Sequence, residues 1–402
     1  MNDILCLKAY DTLKVSITQY ISERRDIMTR LMEHGQPPEW VSDELHRICM
    51  VIERNMERFG TGFPSACAKN GVYEVTENDD WTNGFWTGML WMAYEYTREE
   101  KFKNLAYENL KSFEKRLEDH VVLEHHDIGF LYSLSVGAGY RILGEEHWKE
   151  VFIKAADVLT ARFQEKGGFL QAWGKAGIPG EYRLIIDSLM NLPILYRASE
   201  LSGNDVYRKI ADIHYKNVIS NIIREDYSTY HTFYFDPQTG KPDHGATQQG
   251  FSDESCWARG QAWAILGIPL NARISGRGMS EEETEVYDKV VEYFETHLPS
   301  DGIPYWDLAF GEGSTQPRDS SSLAISACGM LENEKPQRAL EMLRALKEHA
   351  STAYEKDPQG LLLHGVYAYK EGKGVDEPDT WGDYFYMEGL CRVCDPQWHP
   401  YW

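Results

Sequence analysis

Residues 80–97 read DWTNGFWTGMLWMAYEYT. After a polar opening the stretch is apolar around nearly the whole helical wheel, with Gly84, Gly88 and Ala93 set among Trp, Phe, Met and Leu. A helix without a polar face must be buried on all sides. Five further stretches share this character: His126 to Gly144, Leu184 to Gly203, Ser255 to Gly276, Arg318 to Glu332 and Thr380 to Val393. They recur at intervals of about 46 to 71 residues, the kind of period that marks a repeating architecture. Each gap holds an amphipathic or otherwise helical segment. Ala106, Leu110, Phe113 and Leu117 form one apolar stripe, and Trp148, Phe152, Ala155 and Leu159 another. Val286, Val290, Tyr293 and His297, then Ala339, Leu343, Leu346 and Ala350, repeat the same helical spacing. A further amphipathic segment, Glu44 to Arg58, precedes the first buried stretch. Six outer helices alternating with six inner ones predict an all-α chain closed as an (α/α)6 barrel, one domain over residues 1–402.

Strand-like runs are few. The clearest, YHTFYF at 230–235, is followed by the turn residues DPQTG, and the repeated β-rich segments of a parallel sheet are missing. No Pro/Ser-rich linker divides the chain. The stretch from Tyr227 to Ser252 is the longest without helical period, and loops beyond about 12–15 residues often carry binding or catalytic elements.

With 41 Lys and Arg against 63 Asp and Glu, the formal charge is −22, which argues against nucleic acid as a partner. A 42% hydrophobic content with 12 Trp, 24 Tyr and 15 Phe excludes disorder. Seven scattered cysteines read as reduced thiols, and Cys391-x-x-Cys394, lacking a second pair, reads as two neighbours on a terminal helix. The opening MNDILCLKAYDTLK is too charged for a signal peptide, and no apolar run approaches a membrane span. A cytoplasmic protein with no membrane partner is expected.

If the inner helices line one cavity, the polar residues at their starts converge at one mouth. These include Trp81 and Asn83, His125, His126 and Asp127, Asp187 and Asn191, Arg259 and Trp263, Asp319, and Asp383. Asp127 and Asp187 each interrupt an apolar context, HHDIGFLY and LIIDSLMNLP, where a carboxylate is costly unless paired, hydrogen-bonded or protonated. A lone Asp at a helix start is commonly an N-cap. That alternative is weaker for Asp187, which follows Leu184, Ile185 and Ile186 rather than a polar loop. Two carboxylates at corresponding helix starts favour acid/base chemistry. His125 and His126 lack the partners of a metal site, so no metal is expected. Arg259, on an apolar helix, needs an anion, either a structural Asp or a substrate carboxylate. Trp beside Asp, Asn, Arg and Gln suits a sugar, which offers an apolar face to stack and hydroxyls to hydrogen-bond, although some of these Trp residues belong to the core.

Six motifs in this order, DWTNGFWTGMLW, HHDIGFLYSLSVG, LIIDSLMNLPILYRASE, SDESCWARGQAWAILG, PRDSSSLAISACG and GVDEPDTWGDYFYMEGL, resemble the unsaturated glucuronyl hydrolases of glycoside hydrolase family 88. The resemblance spans Trp81 to Leu390. It implies release of an unsaturated uronic acid from the non-reducing end of a lyase-generated oligosaccharide, by hydration of a vinyl ether. By this resemblance Asp187 is the acid and base, and Asp127 orients the substrate and influences the protonation of Asp187. Trp81, His126, Trp173, His231, Gln249, Arg259, Trp263 and Lys373 are then expected as substrate-binding residues. No metal or organic cofactor is implied, and the expected state is monomer or homodimer. The chain departs from the family pattern that reads sulfate, holding Gln248, Ala368 and Glu371 and retaining only Lys373. The related unsaturated rhamnogalacturonyl hydrolases share the barrel, and a sugar epimerase or a sugar-binding protein on this barrel are the readings from other classes.

Overall fold

A computed structural model describes residues 37–176 and 178–402. The charged opening with Cys6, and the part of the expected domain before residue 37, lie outside the described residues. Among the described residues, twelve helices follow one another. The outer ones are α1 (Glu39–Phe59), α3 (Glu100–Glu118), α5 (Glu146–Thr160), α7 (Asp205–Ile222), α9 (Glu281–Thr296) and α11 (Pro336–His349). Between them run the inner ones: α2 (Asn83–Thr97), α4, α6 (Pro193–Ser202), α8 (Ala258–Ile274), α10 (Ser320–Glu332) and α12 (Thr380–Cys394). Helix α4 starts as Ile128–Tyr132, widens into a π-turn over Ser133–Gly137 and continues as Ala138–Leu143. Each inner helix packs against the next and α12 returns to α2, so the ring closes as an (α/α)6 barrel.

The two helix classes differ as their sequences require. In α3 the buried residues include Phe102, Ala106, Leu110 and Phe113, one stripe against the ring, whereas every residue from Ala258 to Ala272 in α8 is buried. Small residues set the spacing: a Cβ on Gly84 would come within 2.1 Å of the Phe130 carbonyl, and one on Gly329 within 2.5 Å of the Ile265 carbonyl. Outer helices carry conventional starts, such as the Ser280/Glu283 capping box of α9 and the Asn204 cap of α7. Trp402 lies inside the ring, its indole stacked on Phe385 at 5.8 Å and donating to Glu388.

One inner stretch differs from the expectation. Leu184 to Gly203 is not a continuous helix: after the two-residue strands β1 (Phe63–Pro64), β2 (Val75–Thr76), β3 (Phe163–Gln164) and β4 (Phe169–Leu170), Arg183–Ile185 is strand β5, Ile186–Met190 a 3-10 turn, and α6 starts only at Pro193. Branched residues at 185 and 186 favour extended backbone, and a proline fits the first turn of a helix but not its interior. The long stretch from Tyr227 to Ser252 is also ordered, as strands β6 (Thr232–Phe235) and β7 (Pro242–Ala246) in an antiparallel sheet β5-β6-β7. A hairpin of β8 (Gly365–Ala368) and β9 (Lys373–Glu377) leads into α12.

An ion network, fully buried at Arg392, Glu332 and Glu388, ties α8, α10 and α12 together. Arg392 meets Glu332 at 2.9 Å and Glu388 at 2.7 Å, and Arg273 also contacts Glu332. Arg392→Met leaves two buried carboxylates without their shared cation and is expected to cost about 3–5 kcal/mol, read by urea denaturation. Cys391 and Cys394 are free thiols on α12, as neighbours on the last helix.

Candidate active site

His125 forms an isolated antiparallel bridge with Trp173, the His126 N–H donates to the Ala172 carbonyl, and the chain then bends through His126 and Asp127 into α4. This brings the His126 side chain to Asp187 on the 3-10 turn, with Asp127 beside it. His126 Nε2 stands 3.2 Å from Asp187 Oδ1 and 3.4 Å from Asp127 Oδ1, so one fully buried imidazole bridges the two carboxyl groups. His125 Nδ1 accepts the Asp127 N–H at 3.1 Å and lies 3.3 Å from Asp127 Oδ2, and its Nε2 bonds the Val122 carbonyl at 2.9 Å. The hydrogen-bond pattern therefore assigns the His125 proton to Nε2.

Neither carboxylate is a helix cap. Asp127 occupies the N-cap position of α4 but its side chain makes no capping hydrogen bond, and Asp187 sits inside the 3-10 turn. Their environments push them in opposite directions. Burial drives Asp187 above the usual carboxylate range and Asp127 adds to this, against the pull of His126. Burial acts on Asp127 in the same sense, but His126, His125 and Asn191 outweigh it and hold Asp127 below its ordinary value. Burial disfavours charge on His126, yet the two carboxyl groups hold it above the usual imidazole value. The triad thus couples an ionised Asp127 and a protonated His126 to an Asp187 that retains its proton to higher pH, the separation expected of an acid/base pair. The donor atoms of His126, Asp127 and Asp187 fall within 4.8 Å of one another, close enough for a cation, but their separations are equally those of shared protons.

The other expected residues divide into wall and support. Trp81 stacks on Trp381 at 5.4 Å and donates from Nε1 to the Tyr367 hydroxyl at 2.9 Å, leaving it half-buried beside Phe130. His231 packs edge-on against Trp257 at 5.0 Å, with Nδ1 bonded to Thr232 and Nε2 buried without a partner. Burial, reinforced by Arg259, pulls His231 down to about 3, so it is neutral. Trp173 is half-buried under the Arg183 guanidinium, 5.5 Å from its ring. The Lys373 ammonium, exposed, lies 4.0 Å over the Tyr367 ring.

Two expectations change. Arg259 is not a free cation for a substrate carboxylate: its terminal nitrogens donate to Asp319, Gln249 and the carbonyls of Val366 and Tyr367, and its plane lies between Trp257 and Trp381. Asp319, fully buried, is the structural anion that a buried guanidinium requires. Arg259 therefore holds Gln249 and the β8 backbone in place. Trp263 is 1% exposed between Phe130 and Phe385, so it backs the wall instead of presenting a face. Asn191, Trp257, Tyr367 and Arg183 are the residues that motif reading left without a role. Asn191 had a signal, four residues after Asp187 in an apolar run; Tyr367 had none, because a hairpin far along the chain delivers it.

A closed α/α ring with a buried carboxyl pair and aromatic walls has the parts of a carbohydrate-active site. Residues 55–300 match the family model of Glycosyl Hydrolase Family 88. The chain is 43% identical over 400 residues to the unsaturated chondroitin disaccharide hydrolase of Streptococcus agalactiae serotype III, covering 96% of this chain and 98% of that one. The crystal structure of the unsaturated glucuronyl hydrolase from Bacillus sp. GL1, described as responsible for glycosaminoglycan degradation, superposes with a TM-score of 0.86 at 36% identity, covering 90% and 99% of the two chains. A variant of the Streptococcus agalactiae unsaturated glucuronyl hydrolase complexed with dGlcA-GalNAc6S gives a TM-score of 0.78 at 40% identity, covering 90% and 93%. The chain belongs to Glycosyl Hydrolase Family 88 and is a glycosidase.

Proposed function

We propose that this enzyme releases the 4,5-unsaturated uronic acid from the non-reducing end of glycosaminoglycan-type disaccharides by hydrating the C4=C5 double bond. The observation that carries this reading is the pairing of Asp127 and Asp187 about one buried imidazole, His126, at 3.4 and 3.2 Å, and their opposed tuning supports it. Asp187 gives its proton to C4. A water then adds to C5 and returns a proton to Asp187, so the carboxyl group is restored. The C5 hemiketal opens, the C1 aglycone is released, and one water has been consumed. Asp127, held ionised, faces the charge that develops on the ring, and Trp81 and Trp173 offer apolar surface for the sugar. A location in the cytoplasm is consistent with six free thiols among the described residues, and no helix there is long and apolar enough to cross a membrane.

The test is a panel of unsaturated disaccharides, glucuronyl and galacturonyl, sulfated and not, followed by loss of the double-bond absorbance. Turnover of glucuronyl substrates is expected. Gln248 and Glu371 stand where the sulfate-reading pattern differs, and a carboxylate near a sulfate is repulsive, so no preference for the 6-sulfated over the unsulfated disaccharide is expected. Exclusive turnover of rhamnogalacturonan fragments would reassign the substrate.

A further inference from the structure

We propose that Asn191 is a positioning residue that frees Asp127 for chemistry, by capping helix α4 in its place and fixing it relative to Asp187. The inference rests on Asp127 and Asp187 being the catalytic pair. An Asp at an N-cap ordinarily accepts the N–H of the second or third helical residue. At the start of α4 that donor, the Phe130 N–H, goes instead to Asn191 Oδ1 at 3.0 Å. The same amide turns Nδ2 toward Asp127 Oδ1 at 3.4 Å and the Asp187 carbonyl at 3.3 Å. One fully buried side chain therefore reads an N–H of α4, the Asp127 carboxylate and the Asp187 backbone, and only one amide orientation satisfies all three.

The surroundings hold it there. The Asn191 N–H closes the 3-10 turn onto the Ser188 carbonyl at 2.9 Å. On the opposite side, a Cβ on Gly129 would stand 2.5 Å from Asn191 Cα and 2.7 Å from its Oδ1, so the approach requires glycine. Had Asp127 capped its own helix, a carboxylate oxygen would be committed to a backbone N–H and drawn away from His126.

The charged and titratable groups facing Asp127 are His125 and His126 from its own segment and Asp187 from the adjoining turn. Arg116 of α3, Arg162 after α5 and Tyr367 of β8 act on it from further away. Asn191 adds to these a neutral donor. Its loss makes Asp127 easier to protonate, and under the proposed mechanism that moves the acidic limb of the activity profile to higher pH.

Asn191→Asp keeps the volume and the acceptor for Phe130 but sets an oxygen against Asp127. The expected result is a fall in kcat of about 10- to 100-fold with KM within about twofold. The acidic limb of kcat/KM should rise by about one pH unit, since the two carboxyl groups then share a proton. Asn191→Ser, with a smaller donor and acceptor, is expected to fall between the two and serves if the Asp variant melts below the assay temperature. The inference is overturned if the wild type turns over but the variants keep its acidic limb, whether kcat is unchanged or falls only in step with thermal stability. A wild type that turns over no unsaturated disaccharide overturns the proposed function instead, a separate result.

Discussion

Asp187→Asn is expected to lower kcat about 10³- to 10⁴-fold while leaving substrate affinity nearly intact, the outcome when one group performs both proton transfers. The amide fills the same space in the 3-10 turn but can neither deliver a proton to C4 nor take one from water. Under the proposed mechanism Asp187 carries both proton transfers, and among the described residues no neighbouring group replaces it. His126 is shared between the carboxyl groups, and His231 is buried and neutral against Trp257. Folding should be unharmed, because the amide keeps the side chain's volume and an oxygen for His126 and adds no charge to a buried site. The measurements are single-turnover kinetics on an unsaturated disaccharide and equilibrium binding of the same compound. Retention of more than about a tenth of the wild-type kcat would remove Asp187 from the chemistry.

The ring was legible because it is written twice over, in helices without a polar face and in amphipathic helices between them. Both signals follow from burial alone, and α8, without a polar face, lies where its sequence puts it. The interrupted third repeat was not, since the apolar run from Leu184 to Leu192 satisfies a buried helix and a buried strand equally well, and only pairing of β5 with β6 decides between them. The carboxyl pair was legible from its apolar context. What escaped were relations that depend on which polar group reaches which. Arg259 and Asp319 are 60 residues apart in sequence, and nothing local says that Asp319, and not a substrate, supplies the anion. Asn191 likewise shows its part only once the Phe130 N–H is seen beside it.

Asp127→Asn tests the other half of the pair, and its signature is a change in the shape of the pH profile as well as in its height. Under the proposed mechanism, wild-type activity requires Asp187 protonated and Asp127 ionised. The first condition fails as pH rises through the raised Asp187 value, and the second as pH falls through the depressed Asp127 value. An asparagine at 127 cannot titrate, so the acidic limb should vanish while the basic limb remains. The height should drop about 10²- to 10³-fold, because a preorganised negative charge facing the developing positive charge is lost. His126 should change with it. One of the two carboxyl groups that hold it protonated is gone, so burial gains ground and the imidazole loses its proton at lower pH than in the wild type. Nuclear magnetic resonance of the His126 ring protons reads this shift directly, independently of turnover. A wild-type acidic limb in Asp127→Asn would place the essential ionised group elsewhere, and an unmoved His126 would deny that Asp127 shares its proton.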